Sequence, residues 1–454
     1  MLRPAFPLLL SVCCAVFTPL PAAVSGAPAA DEYSGEYFLP SGKRVSVFKE
    51  GVLAEMARSK VINWETGRVG MLESNGPDRF VVPPSDPDNR DDGMVITFAR
   101  APGGEVIHLL IQNGQDAPVQ ADRKVTFSET PVTFTNGDVS ISGSLKLPLG
   151  QGPFPAVVLV HGSGPGGREQ VESMARFFCH LGMAALSYDK RGCGASTGDW
   201  KTVDLDVLAD DALAGVAMLQ SRANIDPRRV GLWGISQGGW IVPLAAVKSA
   251  GVAFAINHSG PGTSLRRQDT YMMSNVLKMQ QLPEEDIELA IAALNALYDY
   301  GRGRTPAPAL DAAIDRLRGK PGLEDFEKLS SRDVIPDSMY AHQAIGDPAW
   351  FFHLDPDRDA LEPYRGFRCP LLVVYGRLDY SVPVDESTKA ISAALAESAH
   401  PDYLIKVFER TGHGMLVMNP ESPSQPARPL SLALEYFELL EKWLSERGLS
   451  GRAG

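Results

Sequence analysis

The stretch Val230 to Trp240, V-G-L-W-G-I-S-Q-G-G-W, constrains this chain more than any other. Val230 to Trp233 is a short apolar run that reads as a buried strand, and Ile241 to Val247 opens an apolar helix. Between them, Gly234-Ile235-Ser236-Gln237-Gly238 matches G-x-S-x-G. A strand that breaks into a helix through a serine flanked by glycines is a nucleophile elbow. The turn is so sharp that its serine sits in strained backbone, which lifts the hydroxyl clear of the sheet. A chance match to the pattern need not fall between a strand and a helix. Ser236 is the candidate nucleophile.

A serine hydroxyl is a weak nucleophile and needs a base, which in turn needs an orienting carboxylate. Two later stretches supply them in the chain order Ser, acid, His that suits an elbow of this kind. The apolar strand Leu371 to Tyr375 runs into Gly376-Arg377-Leu378-Asp379, placing Asp379 at a strand end in a tight loop. The strand Leu404 to Phe408 runs into Arg410-Thr411-Gly412-His413-Gly414, placing His413 just past another strand end. The other histidines fit less well. His180 falls in a helix pattern, His342 and His353 in the insertion described below, and His400 before a strand. His258 comes too soon after Ser236 to leave room for an intervening acid. Asp385 is the nearest rival to Asp379, but it falls at a helix start and reads as a cap.

A tetrahedral intermediate needs two hydrogen-bond donors at its oxygen. One is the backbone N–H of Gln237. The other falls in His161-Gly162-Ser163-Gly164-Pro165-Gly166-Gly167, after an earlier strand; Ser163 is preferred there and Gly162 is the alternative. This loop also matches G-x-G-x-x-G at Gly162, Gly164 and Gly167, with Asp189 at the end of the next strand, so a dinucleotide site is a rival. Against it, antiparallel strands precede this one, whereas that fingerprint belongs on the first strand of its unit. The nucleotide reading also leaves Ser236, Asp379 and His413 unexplained.

The surrounding pattern fits an α/β architecture. From Pro155 onward, apolar strands alternate with helical stretches: Ala156 to Val160, Ala184 to Tyr188, Val230 to Trp233, Val252 to Asn257, Leu371 to Tyr375 and Leu404 to Phe408. That predicts a mostly parallel sheet with helices on both faces. Pro131 to Phe134 and Val139 to Leu147 are antiparallel lead-in strands around an Asn-Gly-Asp turn. Residues 262–366 have helical periodicity only and are expected to form a cap over the strand ends. Trp350-Phe351-Phe352 in it is read first as the cap's own core, and secondarily as an acyl pocket. Residues 31–123 show short alternating runs broken by Gly, Pro, Asn and Asp, the pattern of a small accessory β domain. The catalytic domain is expected over 125–449.

Composition narrows the setting. Residues 1–29 carry Arg3, the apolar Leu8 to Phe17 and Ala27-Pro28-Ala29, the three parts of a secretory signal peptide. A secreted or periplasmic protein with no membrane span is expected. Val12 and Cys13, not a small Gly or Ala, precede the two leader cysteines, which disfavours a lipoprotein. The formal net charge is −12, and such an acidic surface argues against nucleic acid and anionic membranes as partners. Beyond the leader remain Cys179, Cys193 and Cys369, an odd number with no C-x-x-C, so neither a disulfide framework nor a zinc-type metal site is expected.

Taken together, H-G-S-G-P-G at 161, D-K-R-G-C-G-A-S at 189, G-I-S-Q-G-G at 234, G-x-x-D-x-x-V-P at 376 and G-H-G at 412 resemble the α/β-hydrolase superfamily, over roughly Val125 to Leu449. Within it, the chain is similar to secreted bacterial esterases of the dienelactone hydrolase and prolyl-oligopeptidase-like group. The accessory segment has a loose likeness to small lipocalin-like units. The resemblance implies a serine hydrolase that cleaves carboxylic esters through Ser236, His413 and Asp379, with Ser163 and Gln237 as oxyanion donors and no cofactor. It gives Asp189-Lys190-Arg191-Gly192 a structural role. A thioesterase or an aminopeptidase uses the same machinery. A rival of another kind is a binding protein working through the accessory β domain, which the intact set of three residues counts against. The partner is a small-molecule ester or acyl substrate.

Overall fold

The structure, a computed structural model, describes residues 30–84, 93–323, 354–366, 368–419, 422–427 and 429–451. Residues 1–29, the aromatic group Trp350-Phe351-Phe352 and the histidines His342 and His353 lie outside the described residues.

The first part of the chain forms β1 (Gly35–Phe38), β2 (Arg44–Glu50), β3 (Arg58–Asn63), β4 (Val69–Met71), β5 (Glu73–Ser74), β6 (Arg79–Val82), β7 (Met94–Arg100), β8 (Val106–Asn113) and β9 (Val119–Lys124). They make one antiparallel sheet in the order β4-β3-β2-β1-β9-β8-β7-β6-β5. The stretch 69–74 pairs with β3 through its first half and with β6 through its second, so the meander returns on itself. Alternate side chains, among them Tyr37, Val45, Val47, Val61, Ile96, Leu109 and Ala121, fill its interior.

The second sheet holds β10 (Phe127–Asn136), β11 (Val139–Pro148), β12 (Phe154–Val160), β13 (Ala184–Tyr188), β14 (Ile225–Ile235), β15 (Ala255–His258), β16 (Leu371–Gly376) and β17 (Tyr403–Phe408). Its order is β10-β11-β13-β12-β14-β15-β16-β17. The pairings from β13 through β17 are parallel, and the β10–β11 hairpin joins them antiparallel at one edge. The connecting helices are α1 (Glu172–His180), α2 (Leu205–Gln220), α3 (Gln237–Lys248), α4 (Leu265–Met279), α5 (Glu284–Gly301), α6 (Ala307–Asp315), α7 (Val384–Glu397) and α8 (Leu434–Glu446). Along β12, Val157 and Leu159 pack towards α1 and α8, while Val158 and Val160 pack towards α2 and α3. Burial on both faces is why these strands read as continuous apolar runs. Helices α4 to α6 and residues 354–366 belong to the described part of the insertion between β15 and β16, and none of the described helices is long and apolar enough to cross a membrane.

The two sheets share a core. Trp64 stacks on Phe177 at 5.8 Å between ring centroids and meets Phe437 edge-on at 5.0 Å. Buried Glu36 pairs with Arg176 Nη1 of α1 at 2.9 Å. Val69 N–H donates to Leu430 O at 3.0 Å, so the chain just before α8 runs along the edge of β4.

Asp189-Lys190-Arg191-Gly192, after β13, ties the sheet to its helices. Asp189 accepts from Arg168 Nη2 at 2.7 Å and from the N–H of Ala195 at 3.0 Å. Arg191 makes a two-pronged bond to Asp211 on α2, at 2.7 and 2.6 Å, and the Asp211 side chain is 1% exposed. Removing one member of such a pair leaves the other charge buried and unmatched. Asp211→Ala is therefore expected to cost about 3–5 kcal/mol, read from the urea midpoint at unchanged slope. A loss below about 1 kcal/mol would mean that water reaches Arg191 and replaces its partner.

Candidate active site

Ser236 sits between β14 and α3, at the N-cap position of the helix, with φ 56° and ψ −116°, a left-handed backbone that a side chain rarely tolerates. Its neighbours make the turn possible. A methyl group at Gly234 would fall 2.3 Å from Gly238 O, and one at Gly238 would fall 2.5 Å from Val160 O. Only glycine fits either place. The parallel register pairs Val160 with Gly234, so the glycine loop leaving β12 emerges beside the elbow. A methyl on Gly162 would lie 3.6 Å from Ser236 Cβ. The loop that holds Ser163 and Gly162 thus borders Ser236, and Gln237 follows it as the first residue of α3.

Asp379 and His413 meet directly. His413 Nδ1 and Asp379 Oδ2 are 2.7 Å apart. The other oxygen of Asp379 accepts backbone N–H bonds from Ser381 at 2.8 Å and Val382 at 3.0 Å, so the carboxylate is held from both sides. Their loops dock through Leu378 N–H to Thr411 O at 2.9 Å and Arg377 N–H to Phe408 O at 2.9 Å. Burial works to lower the pKa of His413, but the charge and hydrogen bond of Asp379 outweigh it and raise the pKa above the ordinary imidazole value. Asp385 is not the cap of α7: it sits in the first turn, exposed, and pairs with Arg377, because Pro383 occupies the N-cap position.

The dipeptide His258-Ser259 bridges the elbow to the histidine loop. Ser236 N–H donates to His258 O at 2.9 Å, and Ser259 Oγ donates to His413 O at 2.9 Å. No hydrogen bond joins the Ser236 and His413 side chains directly; such contacts often tighten only when substrate binds. His258 does not compete as a base. Burial, together with nearby His413, pushes it down to about 3, and its Nδ1 faces the hydroxyl of Tyr436 at 3.1 Å.

Asp189 is 3% exposed and committed to Arg168 and its own turn, so it is not placed to hold a ribose. Carbonyls of the glycine loop are committed too. Lys190 Nζ donates to Gly162 O at 2.7 Å and to Gly164 O at 2.6 Å. The ribose contact that a dinucleotide site would need from Asp189 fails on its bonds to Arg168 and Ala195. Cys179, Cys193 and Cys369 are all free thiols.

Two contributors escaped the sequence reading. Ser259 had no motif to mark it. Lys190 occupies the variable position of D-x-R-G, where nothing announces a contact with the loop 28 residues earlier.

Residues 157–427 match the model of the Alpha/beta hydrolase family, which is more than half of the chain. Among curated proteins, the chain is 25% identical over 307 residues to Esterase EstD of Thermotoga maritima, covering 65% of this chain and 63% of that protein. It is 33% identical over 127 residues to the Quorum-quenching protein AidA of Acinetobacter baumannii, covering 28% of this chain and 42% of that protein. The chain therefore spans less than two thirds of the length of either relative. Among solved structures, the Pyrococcus furiosus Esterase Pf2001 aligns at 18% identity with a TM-score of 0.45, over 70% of this chain and 90% of that one.

Proposed function

The chain belongs to the alpha/beta hydrolase family, and from that premise we propose that it is an exported serine hydrolase that cleaves carboxylic esters. The observation that carries the reading is Ser236 held at φ 56° on the strand rim that also carries the Asp379–His413 pair, 2.7 Å apart. Export rests on the leader-like residues 1–29. Esterases among the relatives favour esters as the substrate class.

In the proposed reaction, Ser236 Oγ adds to the ester carbonyl carbon while His413 Nε2 takes its proton. The carbonyl electron pair moves onto oxygen, which the N–H groups of Ser163 and Gln237 receive. Collapse expels the alcohol, protonated by His413, and leaves an acyl-serine. Water then adds with His413 as base, and a second collapse releases the acid and returns the proton to Ser236. Asp379 fixes the proton of His413 on Nδ1 and stabilises the imidazolium that forms.

Turnover of a p-nitrophenyl ester series, from acetyl to long acyl, run beside aminoacyl p-nitroanilides, tests the reading. Ester turnover is the expected result, with a chain-length optimum that sizes the space under the cap. Turnover of the anilides alone would make the protein a peptidase. Silence on both, with no labelling by a fluorophosphonate, would overturn the enzyme reading and turn attention to the N-terminal sheet.

A further inference from the structure

Lys190 carries an inference that rests on the serine-hydrolase reading. The residue is 3% exposed, and three acceptors surround its ammonium: Gly162 O at 2.7 Å, Gly164 O at 2.6 Å and Gln237 Oε1 at 3.3 Å. An ammonium has three N–H donors and no acceptor, so this cage matches it. The backbone N–H of Lys190 also donates to Gly166 O at 2.8 Å. Alternate carbonyls of the glycine loop, at 162, 164 and 166, thus all turn towards one residue.

A peptide unit is planar and trans, so its C=O and the N–H that follows point in opposite directions. Turning Gly162 O onto Lys190 therefore aims the N–H of Ser163 the other way. The unit after Gly164 O ends in Pro165, which has no N–H to offer. The unit after Gly166 O ends in Gly167, whose N–H donates to Val52 O at 2.6 Å. Of the three units that Lys190 holds, the first lies in the segment bordering Ser236. This orientation favours Ser163 over Gly162 as the loop's donor. The third bond of the ammonium holds the side chain of Gln237, whose own N–H is the other donor.

We propose that Lys190 is the positioning residue of the oxyanion hole, one buried ammonium fixing both halves of it. Lys190 touches no reacting atom; it acts through the Gly162–Ser163 peptide and through Gln237. A hydrogen bond from a cation to the carbonyl of a peptide strengthens the N–H of that same peptide as a donor. The charge of Lys190 is thereby felt where negative charge develops on the substrate oxygen. Such help belongs to the transition state, so it enters kcat and leaves substrate binding nearly untouched.

The test compares wild type, Lys190→Met, Lys190→Gln and Ser236→Ala on one p-nitrophenyl ester, with a trifluoromethyl ketone as the transition-state mimic. Lys190→Met is expected to lower kcat about 10²- to 10³-fold, the range for loss of one oxyanion donor, with KM changed less than about threefold. The ketone's Ki should rise by a similar factor. Lys190→Gln, which keeps two neutral donors on a shorter arm, should fall between the two. It carries the test alone if the methionine variant does not fold. A residue that only packs the loop would lower the melting temperature and raise KM while leaving Ki relative to KM unchanged, and that outcome overturns the proposal. So does a methionine variant with wild-type kcat. If Ser236→Ala still turns over ester, the serine-hydrolase reading fails first. If only Ser236→Ala is inactive, that reading stands and the role of Lys190 falls.

Discussion

Ser236→Ala is expected to lower kcat for esters by about 10⁶-fold, the scale reached when the nucleophile of such a triad is removed. What survives should be a residual of about 10³- to 10⁴-fold over water, supplied by binding and the oxyanion donors. The substitution is well suited to isolate chemistry from folding. Alanine has the same Cβ as serine, so it inherits the φ of 56° and the close packing of Gly234 and Gly238 without a new clash. The backbone N–H of residue 236 still reaches His258 O, because that bond does not involve the side chain. The melting temperature should therefore stay near wild type while labelling by a fluorophosphonate disappears. Retention of more than about 1% of wild-type kcat, against the ~10⁶-fold loss expected, would remove Ser236 from the nucleophile role.

The same elbow explains why the candidate nucleophile was legible in the sequence. Its constraints are local and steric: a strand, two glycines that backbone atoms crowd, and a helix. Asp379 and His413 were legible for a related reason, since each follows an apolar strand of a parallel sheet by a few residues, and such strand ends gather at one rim. The accessory sheet was less legible. β9 exposes nearly every side chain but Ala121, and it is a strand because it pairs with β8 on one side and with β1, far away in the chain, on the other. β3 begins Arg58-Ser59-Lys60, which does not look like strand interior until buried Lys60 is seen beside Glu50. Lys190 was hidden in the same way. The role proposed for it comes from three acceptors, two on the glycine loop and one on α3, a relation that no spacing rule encodes.

Asp379→Asn should cost about 10⁴-fold in kcat, because it reverses the tautomer of His413. The wild-type carboxylate uses one oxygen for the N–H groups of Ser381 and Val382 and the other for His413 Nδ1. An asparagine must keep its single oxygen on those two N–H groups, so its NH₂ turns to His413. Nδ1 then has to accept a hydrogen bond, the ring proton moves to Nε2, and the nitrogen facing substrate cannot take a proton from Ser236. The pH profile tests the same geometry independently. His413 acts as a base only when neutral, and Asp379 raises its pKa above the ordinary value. In wild type, kcat/KM should therefore fall as pH drops through that raised value. In the asparagine variant the raising influence is gone and burial remains, so the residual activity should persist to lower pH than wild type. An acid limb that stays where it was would mean that Asp379 does not set the protonation of His413, and the ~10⁴-fold loss would then need another cause.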